Sequence, residues 1–190
     1  AGLAGARRPS VSDDAPAIHE DVRPLAWLLG VWVGVGTLQY PSIEGAQFGQ
    51  EVSFSTDGRP FLAYFSRSWL LDGEGNRVRP LASESGYWRP QPDNSLEVML
   101  AHPTGYAELW YGSLEVTGIE NARITGARIS MRTDAVVRSA SAKDYSRGER
   151  LYGLVEGRLY WTFDMEAMGH GMSNHLAATL YPVDPAQSGP

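Results

Sequence analysis

The side chains in this chain best able to hold a metal or move a proton are two histidines in strand-like surroundings, His102 and His175. An imidazole with a free ring nitrogen is a common ligand of iron, copper and zinc, and it exchanges protons near neutral pH. Alternation along 95–102 sets Leu96, Val98, Leu100 and His102 on one face, and along 159–165 it groups Leu159, Trp161, Phe163 and Met165. An apolar wall interrupted by an imidazole suits a pocket for a flat aromatic cofactor. It equally suits a core in which His102 makes one ordinary hydrogen bond. His175 heads a short final strand, 175–180, where alternation predicts His175, Ala177 and Thr179 on one face and Leu176, Ala178 and Leu180 on the other. Small neighbours there leave space over the ring, although residue type alone fits a structural imidazole as well.

Other chemistries find less support. Met165, Met168, His170 and Met172 fall in a Met- and Gly-rich stretch before His175, a soft donor set that would suit copper, but the same composition describes an exposed loop. There is no Gly-x-Ser-x-Gly elbow, and the carboxylates Asp144 and Glu149 lie in a polar, turn-like stretch. Gly34-Val35-Gly36 lies on a strand with no following helix, so it is not a phosphate loop.

Composition narrows the field. The chain has 190 residues, enough for one self-supporting domain. Cysteine is absent, which excludes disulfides, thiolate zinc, iron–sulfur clusters and thiolate-ligated haem. A formal charge of −6, with the 16 Lys and Arg scattered, argues against nucleic acid as a partner and favours small molecules. No run approaches the roughly 20 apolar residues of a membrane span, and the N-terminus lacks the apolar run of a secretory signal. The expected setting is therefore the cytoplasm, with no membrane partner. Any self-association is expected to give a C2 homodimer.

The elements that must position these histidines are strands. Residues 1–20 read as a mobile arm that includes His19, and 184–190 as a frayed tail. Between them, 21–183 forms the domain. Val22, Leu25, Ala26, Leu28 and Leu29 predict a short helix or turn that plugs one end, stopped by Gly30. From Val31 about ten short strands follow, separated by turn residues such as Asp57-Gly58, Asp72-Gly73, Pro92-Asp93-Asn94, Gly118 and Glu156-Gly157. With no interleaved helices and short connections, the pattern predicts an all-β, up-and-down antiparallel barrel.

Five separated motifs then carry a resemblance. They are Gly30, Trp32, Gly34 and Gly36; Glu84-Ser85-Gly86-Tyr87-Trp88-Arg89-Pro90; Ala101-His102-Pro103-Thr104-Gly105; Lys143 within Ser141-Ala142-Lys143-Asp144; and the segment from Met165 to His175-Leu176. In this order and spacing the chain resembles the nitrobindins, haem-binding barrels related to fatty-acid-binding proteins and lipocalins, and in particular their actinobacterial members. The resemblance covers 25–181. It implies a ten-stranded barrel holding one haem b per chain, ferric and open to solvent, with His175 as the axial iron ligand and the catalytic residue. It implies further that Lys143 lies beside the haem edge, where a cation pairs with a propionate, and that Met165 and His102 also line the cofactor. Trp32 would pack the closed end, and the glycines would let the strand bend. Some relatives carry a pocket-facing histidine where this chain has Ala82, which leaves His102 to touch a bound ligand. The implied activity is binding of nitric oxide and isomerisation of peroxynitrite to nitrate.

The alternative is a carrier of fatty acids or another apolar small molecule, without haem, in the same cavity. Such carriers grip a carboxylate with a buried arginine, for which the sequence offers Arg128, Arg132 or Arg138. A barrel filled solid by side chains would exclude both readings.

Overall fold

A computed structural model describes residues 16–184. Ten strands follow a single 3₁₀ helix, Glu20–Leu28: β1 (Gly30–Tyr40), β2 (Ile43–Ser55), β3 (Leu62–Leu71), β4 (Arg77–Pro90), β5 (Ser95–His102), β6 (Tyr106–Glu120), β7 (Arg123–Arg138), β8 (Tyr145–Val155), β9 (Arg158–Ala167) and β10 (His170–Pro182). Each pairs antiparallel with its neighbour in sequence, and β1 closes the ring against β10. Closure leaves no exposed strand edge, so every strand has only an inner and an outer face. Among the described residues no helix is long and apolar enough to cross a membrane. Most of the expected arm, and the expected tail beyond Asp184, lie outside the described residues.

The two ends differ because the 3₁₀ helix covers one of them. Val22, Leu25 and Leu28 are all fully buried, and their spacing of three matches the three-residue turn of this helix, so all lie on one side. That side rests against β4 and β7. His19 belongs to this plug: its Nδ1 accepts the Asp21 backbone N–H at 3.2 Å and caps the helix. Trp32, buried as expected, donates its indole N–H to the Leu28 carbonyl at 2.8 Å and ties β1 to the plug. Above it the core is filled by large inward side chains, including Trp88, Leu96, Ile129, Leu159 and Leu180. Burial of each contributes about 1.5–3 kcal/mol. The opposite end, formed by the hairpins after β1, β3, β5, β7 and β9, remains open.

Two local expectations change. Gly118 is not a turn; it marks an irregularity inside β6, and the chain reverses at Asn121–Ala122, both at positive φ. Gly34 and Gly36 serve close strand approach rather than bending. A Cβ on Gly36 would lie 2.4 Å from the Ala177 carbonyl oxygen, 2.6 Å from the Phe48 ring and 2.7 Å from the Ala178 Cβ. Gly36→Ala is therefore expected to destabilise the barrel by about 1–3 kcal/mol, the usual cost of overpacking, measured as a lower urea midpoint. An unchanged midpoint would show that β1 and β10 can move apart freely.

Candidate functional site

The open end leads into a cavity of about 400 Å³ inside the barrel. Leu38, Phe48, Leu81, Phe163, Met165 and Leu176 supply its apolar wall. A larger hollow of about 790 Å³ lies on the outer surface across β6–β9, but it contains no imidazole. The inner cavity also receives His175, His102, Lys143 and Ala82, so it gathers the residues the sequence singled out.

His175 reaches this cavity through an irregularity in β10. Asn174 pairs with Asp164 and Leu176 with Phe163, so β10 carries one residue more than β9 at this point, and that residue is His175. Such a β-bulge turns the extra side chain onto a face that regular alternation would deny it. The expected grouping of His175 with Ala177 and Thr179 is thus corrected. Ala178 and Leu180 are buried and Leu176 lines the cavity, while Ala177 and Thr179 pair with Thr162 and Tyr160 on the other face. A second irregularity, between His170 and Ser173, runs through what the sequence suggested was a loop, so β10 begins at His170 rather than at His175. His170 is exposed at the rim, while Met165 and Met168 line the cavity, so this donor set does not converge on one point.

The imidazole of His175 is held from three directions. Its Nδ1 lies 3.1 Å from the Gln39 carbonyl oxygen, and the rings of Tyr40 and Phe163 meet it edge-on at centroid distances of 5.7 and 5.9 Å. Burial pushes the His175 imidazole below its ordinary pKa, and the Gln39 hydrogen bond only partly offsets this. A carbonyl can only accept, so the neutral ring carries its proton on Nδ1 and keeps a lone pair on Nε2. No described residue bonds Nε2. A carbonyl-anchored imidazole with a free second nitrogen has the hydrogen-bond arrangement of a metal ligand.

The facing wall is charged. β5 stands five places from β10 in either direction around the ring, so His102 lies across the barrel from His175. Its Nε2 is 2.8 Å from Glu108 Oε2, which also accepts the Trp110 indole N–H at 2.9 Å. Its Nδ1 faces Glu84 at 3.6 Å. Glu84 takes a two-pronged hydrogen bond from Arg150 at 2.7 and 2.8 Å, together with the Tyr64 hydroxyl at 2.6 Å. Burial would raise the Glu84 carboxyl, but the Arg150 charge and hydrogen bonds hold it down at about 2. Glu108 is likewise lowered: burial opposes ionisation, and the His102 hydrogen bond and the Arg150 charge outweigh it. The hydroxyls of Tyr64 and Tyr152 are pushed up by burial, Tyr152 to about 12.

Lys143 sits exposed on the β7–β8 connection at the mouth, its carbonyl accepting the Tyr106 hydroxyl at 2.8 Å. Sequence reasoning missed Arg150, Glu84 and Glu108 as a cluster. The buried arginine is Arg150 rather than Arg128, Arg132 or Arg138, of which the first two line the outer hollow. Its inward position was available from alternation with Tyr152 and Leu154. Because its fork is already filled by Glu84, it is not a free grip for a fatty-acid carboxylate.

A family model described as the THAP4-like, heme-binding beta-barrel domain matches residues 21–181. The chain is 47% identical over 163 residues to a peroxynitrite isomerase from Nocardioides sp., covering 86% of this chain and 93% of that one. It is 43% identical to a ferric nitrobindin-like protein from Streptomyces griseus, covering 90% of this chain and 87% of that one. Among solved structures it is similar to the crystal structure of Rv2717c from M. tuberculosis, with a TM-score of 0.80 and 30% identity over 88% of this chain and all of that one.

The Glu84–Arg150 pair predicts a signature in stability. Because Glu84 titrates at about 2 in the fold against an ordinary 4.5, its contribution is fully present above about 4.5 and disappears as pH falls through about 2. Glu84→Gln, which leaves Arg150 buried and unpaired, is expected to cost about 3–5 kcal/mol near neutral pH, and to cost progressively less on acidification. Urea unfolding of the apo-protein across this pH range reads both effects. A variant as stable as the parent at pH 7 would contradict the pairing.

Proposed function

The chain belongs to the THAP4-like, haem-binding β-barrel family, and from that premise we propose that it holds one haem b through His175, binds nitric oxide and isomerises peroxynitrite to nitrate. The observation that carries the reading is the set of bonds made by His175. Its Nδ1 is committed to the Gln39 carbonyl and its Nε2 has no hydrogen-bond partner among the described residues, whereas both nitrogens of His102 face carboxylates, at 2.8 and 3.6 Å. The residues fit the group. The cavity wall is apolar enough for a macrocycle, its mouth carries Lys143 to pair with a propionate, and the absence of cysteine means that the haem is held without thioether bonds.

When bound, the haem iron supplies a Lewis-acidic centre at which the peroxynitrite anion rearranges to nitrate. His175 supplies a neutral nitrogen donor whose orientation the Gln39 carbonyl and the Tyr40 and Phe163 rings fix. His102 is anchored to Glu108 through Nε2 and turns Nδ1 toward the Glu84 carboxylate, on the facing side that small molecules would reach. Met165 and Phe163 exclude water from the inner side of the cavity, while the mouth gives the substrate access. Ala82 adds no polar contact to that side.

The test is a titration of the apo-protein with ferric haem, followed at the Soret band and then by stopped-flow decay of peroxynitrite with nitrate and nitrite quantified. The parent is expected to saturate at one haem per chain and to raise the nitrate fraction. His175→Ala, with an unchanged circular dichroism spectrum, is expected to lose saturable binding and the rate gain together. A variant that keeps a normal spectrum and activity would overturn the assignment.

A further inference from the structure

The wall opposite His175 carries a pair of residues that the ligand set does not use. We propose that Glu108 and His102 act as a proton-accepting pair, with His102 Nδ1 taking the proton that a weakly acidic ligand must shed as it binds on that side, and Glu108 fixing the tautomer that makes this possible. The proposal rests on the haem reading above and deepens it.

Three observations support it. First, Glu108 Oε2 receives two donors, the Trp110 indole and His102 Nε2, at 2.9 and 2.8 Å. An ionised carboxylate can only accept, so Nε2 carries a proton, and the tautomer this selects for the neutral ring has its lone pair on Nδ1. The carboxyl is held ionised against burial by His102 and Arg150. Secondly, Nδ1 has no donor within hydrogen-bond distance. Its polar neighbour is Glu84 Oε2 at 3.6 Å, a negative charge that attracts an arriving proton. Thirdly, His102 lines the cavity with its side chain 17% exposed, while Glu108 is 1% exposed behind it, so the imidazole stands between the carboxylate and the ligand space. A buried carboxylate behind an accessible imidazole is the arrangement by which a base is oriented and its positive form stabilised after proton uptake.

The balance is simple. In a neutral weak acid such as hydrogen cyanide the bond between hydrogen and carbon breaks, the proton goes to His102 Nδ1, and the electron pair left on carbon would form the bond to iron. No electron is transferred. Nitric oxide carries no proton and has no need of the pair. Glu108 acts through His102 and is a positioning residue.

Cyanide association with the haem-loaded ferric protein, measured by stopped flow beside nitric oxide association, tests the proposal. His102→Leu is expected to slow cyanide about 100-fold, within the usual range for general-base assistance, and to slow nitric oxide, which has no proton to shed, far less. Glu108→Gln nearly preserves shape, but its amide can donate to Nε2 and so move the ring proton to Nδ1. It is expected to slow cyanide comparably although His102 is still present. A packing role for Glu108 predicts that Glu108→Gln behaves like the parent. Cyanide rates unchanged in both variants, or cyanide and nitric oxide slowed alike, would overturn the proposal. Failure of the parent to take up haem at all would instead remove the reading on which it rests.

Discussion

In a closed barrel, strand parity decides which side chains reach the interior, and β10 delivers an imidazole to the cavity only because it carries one more residue than β9 between Asn174 and Leu176. Without that bulge His175 would follow Ala177 and Thr179 to the outer face, and the cavity would lose this imidazole. The neighbours of the bulge are adapted to it. Gln39 offers a carbonyl to Nδ1, Phe163 meets the ring from across the β9 pairing, and Tyr40 closes the remaining side. Tyr40 is itself fixed, its hydroxyl accepting the Ala167 backbone N–H at 3.0 Å. A locally irregular strand thus becomes a rigid support for one nitrogen lone pair.

The other constraint is charge. Arg150 is buried among aromatic rings, with Trp110 and Phe163 each 4.9 Å from its guanidinium, and such a cation persists only with a partner. Glu84 is that partner, and Glu108 adds a second carboxylate, which His102 and the Trp110 indole engage. Hydrogen bonds connect Glu84 with Tyr64 and Arg150, and Glu108 with Trp110 and His102, so disturbing one member leaves another unsatisfied in an apolar interior. The same arrangement separates the two walls chemically. One presents a neutral imidazole with a free nitrogen; the other presents an imidazole already engaged by carboxylate.

How much of this could be read in advance follows from what alternation records. The ten strands, the antiparallel barrel, the inward row ending at His102 and the plug with Trp32 were legible because a period of two, broken by turn residues, is written directly in residue type. The bulge was not. An inserted residue leaves no compositional trace, and assuming regular alternation from Leu180 backwards misassigns the face of His175. The candidacy of His175 rested instead on motif spacing that resembles a known family. The Glu84–Arg150 contact spans 66 positions and joins two polar residues on separate strands, and parity can place each of them inward without naming its partner. The glycines of β1 were visible as a motif, but their reason, the Ala177 carbonyl and the Phe48 ring pressing on Gly36, appears only once the ring closes.

The measurement closest to the central claim is a crystal structure of the haem-loaded protein. The account predicts a single macrocycle in the inner cavity with iron bonded to His175 Nε2, Nδ1 still on the Gln39 carbonyl, and His102 still on Glu108. Iron bonded to His102 instead, or a haem seated on the outer surface with the cavity left to another ligand, would contradict it.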